Sequence, residues 1–238
     1  MTSPSWNSPA APRAIFWDMD GTLVDSEPLW GIATYELSER LGRRLTPELR
    51  AATVGGSFGN TLRVCAEHAG VTVTEQEARV LHDAMFARVG ELFAQSLAPR
   101  PGVRELLAAL HQRGIPMLVT TNTERSLADR AIEAVGTEFF RDSVAGDEVP
   151  RFKPAPDMYL EAARRVGVPP GECLVFEDSP AGMSAAVAAG CRVIGLPEDP
   201  HDAVPGTLLM QEVRDGSRSF AGVRAEDIER WFTQIAPA

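Results

Sequence analysis

Short apolar runs alternate with helical patterns along most of this chain, and that alternation limits the fold more than any other feature of the sequence. Strands that alternate with helices form a parallel sheet with helices on both of its faces. We therefore predict an α/β core with a Rossmann-like parallel sheet. The predicted strands are 14–17, 117–120, 143–145, 173–176, 192–195 and 208–210, and the predicted helices are 102–112, 124–135, 156–166, 180–189 and 225–232.

The alternation is interrupted once, by a long segment after the first strand that has a helical pattern and no clear strand. We predict a small α-helical domain over residues 27–98, inserted into a core made of residues 14–26 and 99–238. Residues 1–13, rich in Ser, Pro and Ala, are predicted to be a disordered leader. The expected helices of the insert are 29–41, 47–51, 60–69 and 74–95, with breaks at Gly42, Gly55-Gly56 and Gly70.

The net charge of the 238 residues is −10, which argues against a nucleic-acid-binding surface because such surfaces need clustered basic groups. No apolar run is long enough to span a bilayer, and the N-terminal residues lack the apolar region of a secretory signal. Cys65, Cys173 and Cys191 form no metal-binding spacing, and we expect Cys173 and Cys191 to be buried in apolar surroundings. We expect a monomeric cytoplasmic protein that binds neither nucleic acid nor membrane.

Two aspartates directly follow the first predicted strand. Asp18 and Asp20 are two residues apart on an extended chain, so their carboxylates project to the same side, and Gly21 permits a sharp turn after them. Carboxylates this close repel one another, and a hard divalent cation such as Mg²⁺ relieves that repulsion. The alternative is an ordinary surface turn, since Asp and Gly are both common in turns.

A second acidic pair, Glu177-Asp178, follows the fourth predicted strand. Ser179 and Pro180 come next and suit the N-cap and the first position of a helix, so the acids could simply favour the positive end of that helix. That alternative does not explain why acids recur after a second strand. The carboxyl ends of parallel strands share one edge of the sheet, and both acidic pairs can converge on one cation there.

The residues Thr121-Asn122 follow the second predicted strand. Thr121 and Glu124 have capping-box spacing, which by itself explains them as the start of a helix, although the same hydroxyl and N–H groups could hold an anion. Lys153 favours the anion, because it is the only lysine among 23 basic residues and lies in a segment stiffened by prolines. Its compact ammonium suits a phosphoryl group, and Arg151 is the competing candidate, expected to face solvent.

As an ordered set, these motifs resemble the signature of haloacid dehalogenase-like hydrolases. Residues 18–26 resemble the first motif of that family, Thr121 the second, Lys153 the third and Glu177-Asp178 the fourth. The resemblance spans residues 18–182 and continues to about residue 196. It implies that the helical insert is a cap domain. It also implies a Mg²⁺-dependent phosphomonoester hydrolase acting on a small phosphorylated metabolite, with sugar phosphates favoured.

The resemblance also implies a role for each matched residue. Asp18 would attack phosphorus and form an aspartyl-phosphate, while Asp20 would protonate the leaving alcohol and then deprotonate the attacking water. Asp18, the backbone carbonyl of Asp20 and Asp178 would hold Mg²⁺, with help from Glu177. The catalytic residues would be Asp18, Asp20, Thr121 and Lys153, and the phosphoryl oxygens would be held by the backbone at Met19 and by Thr121, Asn122 and Lys153.

Two alternatives stay open at this stage. A sugar phosphomutase similar to beta-phosphoglucomutase would carry a His and an Arg in its cap, where this chain has Trp30 and Phe58. A non-catalytic module that binds phosphorylated metabolites would be expected to lack one of the acids, and none is missing. Residues 25–30 look more like bacterial sugar-phosphate phosphatases. The candidates for substrate contact in the cap, which could equally be packing residues, are Glu27, Trp30, Phe58 and Asn60.

Overall fold

A computed structural model describes residues 11–54 and 57–236 of the chain. The chain divides into two compact units. Ser26–Leu97 forms the first, called here the helical unit, and the described residues before and after that segment form the second, called the sheet unit. Most of the predicted leader and the predicted break at Gly55-Gly56 lie outside the described residues.

Strands and helices alternate in the sheet unit, whereas the described residues of the helical unit form helices and no strand. The strands are β1 Ala14–Trp17, β2 Met117–Thr120, β3 Asp142–Val144, β4 Cys173–Glu177, β5 Arg192–Gly195 and β6 Thr207–Leu209. The α-helices are α1 Glu27–Arg40, α2 Pro47–Ala51, α3 Phe58–Ala69, α4 Glu75–Ser96, α5 Val103–Gln112, α6 Arg125–Val135, α7 Asp157–Val166, α8 Pro180–Ala188, α9 Met210–Val213 and α10 Ala225–Gln234.

The six strands form one sheet in the order β3-β2-β1-β4-β5-β6, and every pair of neighbours is parallel. This confirms the predicted α/β class with a Rossmann-like sheet. In such a sheet all strands run the same way, so the residues that follow them meet at one edge. The order also places β1 in the middle, between β2 and β4, which brings three of the predicted motifs to neighbouring strand ends.

Each predicted element is present, and every boundary lies within two residues of the predicted one. Two strands end earlier than predicted. The prediction of a strand over 208–210 is wrong at its end, because Leu209 makes the last ladder pair with Gly195 and Met210 begins α9. The strand predicted over 143–145 likewise ends at Val144, since Ala145 caps a single 3₁₀ turn.

The centre of the sheet is completely buried. Every residue of β1, β2 and β4 is buried, as expected for parallel strands that are covered on both faces. Trp17 stacks on Phe176 with 4.3 Å between ring centroids, and Phe220 packs edge-on against Trp17 at 5.7 Å. These rings lie at the carboxyl ends of β1 and β4, so the residues that follow both strands rest on a rigid base.

Side-chain caps mark the starts of α2, α3 and α4 in the helical unit. Thr46, Ser57 and Thr74 each accept a hydrogen bond from a backbone N–H in the first turn of α2, α3 and α4. Gly70 ends α3 with a left-handed backbone, which glycine adopts without steric strain. Helix α1 packs against α3 and α4 to form the interior of this unit.

All three cysteines lie among the described residues. Cys173 and Cys191 are buried, as predicted from their apolar surroundings, and Cys65 is buried as well. Among the helices that the structure describes, none has the length and apolar character to cross a membrane.

Removal of one buried ring should show how much the base of the sheet edge contributes to stability. We expect Phe176→Ala to lower the free energy of unfolding by about 3–5 kcal/mol, because it deletes a fully buried ring and leaves a cavity beside Trp17. Phe152, which is 55% exposed, is the matched control, and Phe152→Ala should lose less than about 1 kcal/mol. Urea unfolding of the whole protein measures the free energy of unfolding of each variant. Equal losses of stability in the two variants would contradict the packing described here.

Candidate active site

Strand register brings the predicted motifs together at the carboxyl edge of the sheet. Trp17 pairs with Val119 of β2 on one side and with Phe176 of β4 on the other. The next residues along β1 and β4 are therefore neighbours, and Asp18 N donates a hydrogen bond to the carbonyl of Phe176 at 3.0 Å. Asp18, Thr121 and the Glu177-Asp178 pair consequently surround one point of the sheet unit.

Three carboxylates form a compact acidic cluster at this point. One oxygen each from Asp18, Glu177 and Asp178 lies within 4.8 Å of the others. Burial and then the charge of Glu177 raise the pKa of Asp18 well above its ordinary value, and the same causes raise the pKa of Asp178 to about 7. Oδ2 of Asp18 is buried without a hydrogen-bond partner among the described residues. An oxygen-only cluster with an unsatisfied buried ligand atom suits a hard divalent cation.

Lys153 provides the buried positive charge next to this cluster. Its Nζ donates to Asp18 Oδ1 at 2.7 Å, to Glu177 Oε1 at 2.6 Å and to the carbonyl of Thr120 at 2.9 Å. Burial alone would lower the pKa of Lys153, but the two carboxylates outweigh it and hold the pKa above its ordinary value. The competing candidate, Arg151, pairs with Asp157 and has an exposed side chain, so it faces solvent as predicted.

Glu177 is completely buried and differs from Asp18 in its hydrogen bonds. Its Oε1 accepts from Lys153 and from the Tyr159 hydroxyl, each at 2.6 Å. Its Oε2 accepts from the backbone N–H and the hydroxyl of Ser179, at 3.3 and 3.2 Å. A side chain at Gly182 would overlap the Glu177 carboxylate, so the glycine leaves the space that this carboxylate occupies. Protein donors thus surround both oxygens of Glu177.

Ser179 is the N-cap of α8, as the sequence predicts, and it also contacts Glu177. Its hydroxyl accepts a hydrogen bond from the backbone N–H of Gly182 at 3.0 Å and caps α8, with Pro180 at the first helical position. The same hydroxyl donates to Glu177, so the helix cap and the buried carboxylate share one side chain.

The predicted capping box of Thr121 and Glu124 is wrong. Helix α6 begins at Arg125, whose backbone N–H donates to Asp147 Oδ1 at 2.8 Å, and Glu124 occupies the N-cap position. Thr121 is too far before the helix to cap it. Its hydroxyl accepts from the backbone N–H of Thr123 at 3.0 Å and donates to Asp20 Oδ2 at 3.3 Å.

Asp20 is held by two threonines and not by one. In addition to Thr121, the Thr123 hydroxyl donates to the same Oδ2 of Asp20, at 2.7 Å. Asp20 is half-buried at the start of the turn that follows β1. Its carboxylate therefore has a fixed orientation next to, but outside, the cluster of three acids.

Asn122 and Met19 each accept hydrogen bonds from backbone N–H groups of the site. Asn122 Oδ1 accepts from the backbone N–H of Lys153 at 3.0 Å, which ties the Lys153 segment to the end of β2. The carbonyl of Met19 accepts from Leu23 N and Val24 N at 2.9 and 3.1 Å, which closes the turn that carries Asp20. The Met19 side chain is buried in the core.

The four candidates from the predicted cap have partners inside the helical unit. Glu27 forms an ion pair with the buried Arg50. Trp30 and Phe58 pack edge-on against the ring of Phe86, at 5.6 and 6.4 Å. The side-chain amide of Asn60 donates to the carbonyl of residue 52 at 3.2 Å. Each of these contacts is one that a structural residue would make.

Sequence reasoning missed Thr123 and Tyr159. A signal existed for Thr123, because it lies two residues after Thr121 and so projects to the same side of an extended chain. None existed for Tyr159, which is six residues after Lys153 and meets Glu177 only because α7 packs on the sheet. Burial, followed by the neighbouring carboxylates, raises the pKa of the Tyr159 phenol well above its ordinary value.

The fold and the site together define an α/β protein with a cluster of buried carboxylates at the carboxyl edge of a parallel sheet. The family model of haloacid dehalogenase-like hydrolases matches residues 12–190, and the chain belongs to that family.

Proteins of similar sequence and proteins of similar structure match this chain over most of its length. Protein CbbY of Rhodobacter capsulatus is 33% identical over 197 residues, which are 79% of this chain and 86% of that protein. A phosphorylated carbohydrates phosphatase of Thermotoga maritima is 32% identical over 193 residues, covering 80% of this chain and 88% of the relative. The crystal structure of a mutant CbbY from Rhodobacter sphaeroides in complex with xylulose-(1,5)bisphosphate has a TM-score of 0.74. It is 29% identical and covers 89% of this chain and 96% of that one.

The turn at Gly21 allows a direct test of how closely the backbone approaches Asp178. Gly21 has a φ of +80°, and a Cβ there would overlap the Asp178 carboxylate. We expect Gly21→Ala to destabilise the protein more than Gly222→Ala. The control position has a similar φ of +76° but no heavy atom of the described residues within 4 Å of a Cβ.

Backbone strain alone should cost about 1–2 kcal/mol at either position. The excess loss at Gly21, measured by urea unfolding, reports the collision with Asp178. Equal losses in the two variants would show that the turn does not press against that carboxylate.

Proposed function

We propose that the chain is a Mg²⁺-dependent phosphomonoester hydrolase that acts on small phosphorylated metabolites, sugar phosphates above all, through an aspartyl-phosphate intermediate. The observation that carries this proposal is the asymmetry of the Asp18 carboxylate. Lys153 fixes Oδ1 at 2.7 Å, whereas the buried Oδ2 has no partner among the described residues. A carboxylate that is oriented on one side and unsatisfied on the other is suited to act as a nucleophile beside a cation.

Asp18 and Asp20 divide the chemistry between them. One oxygen of Asp18 attacks phosphorus, the bond from phosphorus to the leaving alcohol breaks, and Asp20 gives its proton to the departing oxygen. Water then attacks the aspartyl-phosphate and loses its proton to Asp20, which releases inorganic phosphate and restores both carboxyl groups. The two threonine hydroxyls on Asp20 support this role, because they orient the carboxyl group that must deliver the proton.

The acidic cluster supports a divalent cation in the same site. Asp18 and Asp178 offer carboxylate oxygens, and the backbone carbonyl of Asp20 is the proposed third ligand. Glu177 supports the site differently, since both of its oxygens already accept hydrogen bonds from protein donors. When bound, Mg²⁺ would offset the phosphoryl charge and align the phosphate for in-line displacement.

Four groups are proposed to stabilise the phosphoryl oxygens. The backbone N–H of Met19 and the Asn122 amide would donate to them, and the Thr121 hydroxyl would turn its proton from Asp20 to the phosphate. The Lys153 ammonium would act through its charge, because its three protons already have acceptors. Asn122 supports this assignment through its bond to the Lys153 backbone, which keeps the two side chains together. Catalysis is assigned to residues 14–26 and 99–238, and the role of a helical cap to residues 27–98.

The substrate class rests on the relatives. One of them is named a phosphorylated carbohydrates phosphatase, and the CbbY crystal structure contains xylulose-(1,5)bisphosphate. Sugar phosphates are therefore the first compounds to test, as a panel of monophosphates and bisphosphates. A phosphomutase is the alternative. Such an enzyme moves the phosphoryl group from one hydroxyl of the sugar to another, so release of inorganic phosphate without a bisphosphate activator identifies a hydrolase.

Replacement of the nucleophile tests the proposed mechanism. We expect Asp18→Asn to lower kcat for p-nitrophenyl phosphate and for the best sugar phosphate by about 10³-fold or more, because the amide cannot form the acyl phosphate. The exposed Asp202 provides the control, and Asp202→Asn should keep full activity. Circular dichroism verifies the fold of both variants. Retained turnover in folded Asp18→Asn would remove Asp18 from the nucleophile role.

Thermal melting tests the cation without reference to turnover. We expect saturating Mg²⁺ to raise Tm by about 5 °C, since an ion that binds only the folded state stabilises it and relieves repulsion among the acids. EDTA should reverse the shift. Asp178→Asn should lose most of it, while Asp202→Asn should keep it. An equal shift in Asp178→Asn would place the cation outside this cluster.

A further inference from the structure

A fully buried tyrosine touches the acidic cluster and has no part in the steps described above. Tyr159, on α7, donates its hydroxyl to Glu177 Oε1 at 2.6 Å and is 0% exposed. A hydroxyl that donates to a carboxylate forms a charge-assisted hydrogen bond, which is stronger than a hydrogen bond between neutral groups. Its hydroxyl donates to Glu177 and not to the proposed nucleophile Asp18, which indicates an indirect role.

The ammonium of Lys153 depends on Glu177 for its position. A lysine ammonium has three protons, and each is directed to one acceptor: Asp18, Glu177 and the Thr120 carbonyl. The Thr120 carbonyl is fixed by the sheet. The angle between the other two acceptors decides how closely Nζ approaches Oδ1 of Asp18.

Glu177 in turn depends on its two other donors. Its Oε1 is shared by Lys153 and Tyr159, while Ser179 holds Oε2 from the start of α8. Without the Tyr159 hydroxyl, Oε1 would have Lys153 as its one remaining donor among the contacts described here, and the carboxylate could rotate toward the ammonium. The bonds to Ser179 are the longer ones, so they resist that rotation less than the bond to Tyr159 does.

We infer that Tyr159 is a positioning residue of this active site: its hydroxyl fixes Glu177, and Glu177 thereby holds the Lys153 ammonium against the nucleophilic carboxylate of Asp18. This inference rests on the proposed hydrolase function. The hydroxyl does not touch the substrate. Its effect is expected in the chemical step, which needs Asp18 aligned, more than in the binding of the phosphate, which other groups share.

The composition of the chain makes the inference directly observable. Lys153 is the only lysine, and Tyr35 and Tyr159 are the two tyrosines. Protein labelled with [¹³C,¹⁵N]lysine therefore gives a single Cε–Nζ correlation in an NMR spectrum, and it reports on Lys153 alone. Tyr35 lies in the helical unit, where Arg44 stacks over its ring, so Tyr35→Phe is a matched loss of one phenol oxygen elsewhere.

We expect Tyr159→Phe to shift the Lys153 correlation, to speed exchange of the ammonium protons, and to lower kcat about tenfold with KM changed less than twofold. Tyr35→Phe should change none of these. The ring of Tyr159, whose centroid lies 5.3 Å from Nζ, is kept in the phenylalanine variant, so the comparison isolates the hydroxyl. An unchanged kcat, or a reduced kcat with an unmoved Lys153 signal, would overturn the inference.

A second variant, Glu177→Gln, tests the same link from the side of the carboxylate. Glu177→Gln keeps the tyrosine and removes the charge through which it acts, so it should move the Lys153 signal by itself. In folded protein, addition of Tyr159→Phe to Glu177→Gln should lower kcat less than twofold further, because the link is already broken. A further tenfold fall, or an unmoved signal in Glu177→Gln, would contradict the inference.

The proposed hydrolase function and the role of Tyr159 can be tested separately. Wild-type protein without activity on any phosphate ester would overturn the hydrolase assignment, whereas the Lys153 signal is measured without substrate. Under that outcome, an unmoved signal in Tyr159→Phe would overturn the positioning role of Tyr159 as well.

Discussion

The buried ammonium of Lys153 between Asp18 and Glu177 is the interaction on which the site depends. Removal of these charges from water is unfavourable, and it is offset only where geometry is good and each proton and lone pair finds a partner. Here the ammonium places its three protons on three acceptors at 2.6–2.9 Å. This positive charge offsets part of the repulsion among the three carboxylates that lie so close to one another in the sheet unit.

The sheet supplies the precision that this arrangement needs. Strand β1 lies between β2 and β4, so Asp18 has the end of a buried strand on either side. The stacked rings of Trp17 and Phe176 lie directly beneath. Side chains at strand ends on a packed core are held more precisely than side chains on loops. The chemistry of the site thus follows from the packing of apolar residues that take no part in it.

Environment, and not residue type, distinguishes the acids of the site. Glu177 is surrounded by donors from Lys153, Tyr159 and Ser179, which suits a carboxylate that orients its neighbours. Asp18 has one oxygen held and one unsatisfied, which suits a nucleophile that also binds a cation. Different surroundings give chemically similar carboxyl groups different roles, as is usual in enzymes that use pairs of acids.

Local patterns in the sequence were sufficient for the sheet, for the ends of β1, β2 and β5, and for the cap formed by Ser179 and Pro180. These features depend on side-chain periodicity and on hydrogen bonds within a few residues. The scarcity of lysine likewise singled out Lys153. The sequence could not show that Thr121 turns away from α6 toward Asp20, or that Tyr159 reaches Glu177. Those contacts join residues 101 and 18 positions apart, and only strand register and helix packing bring them within hydrogen-bond distance.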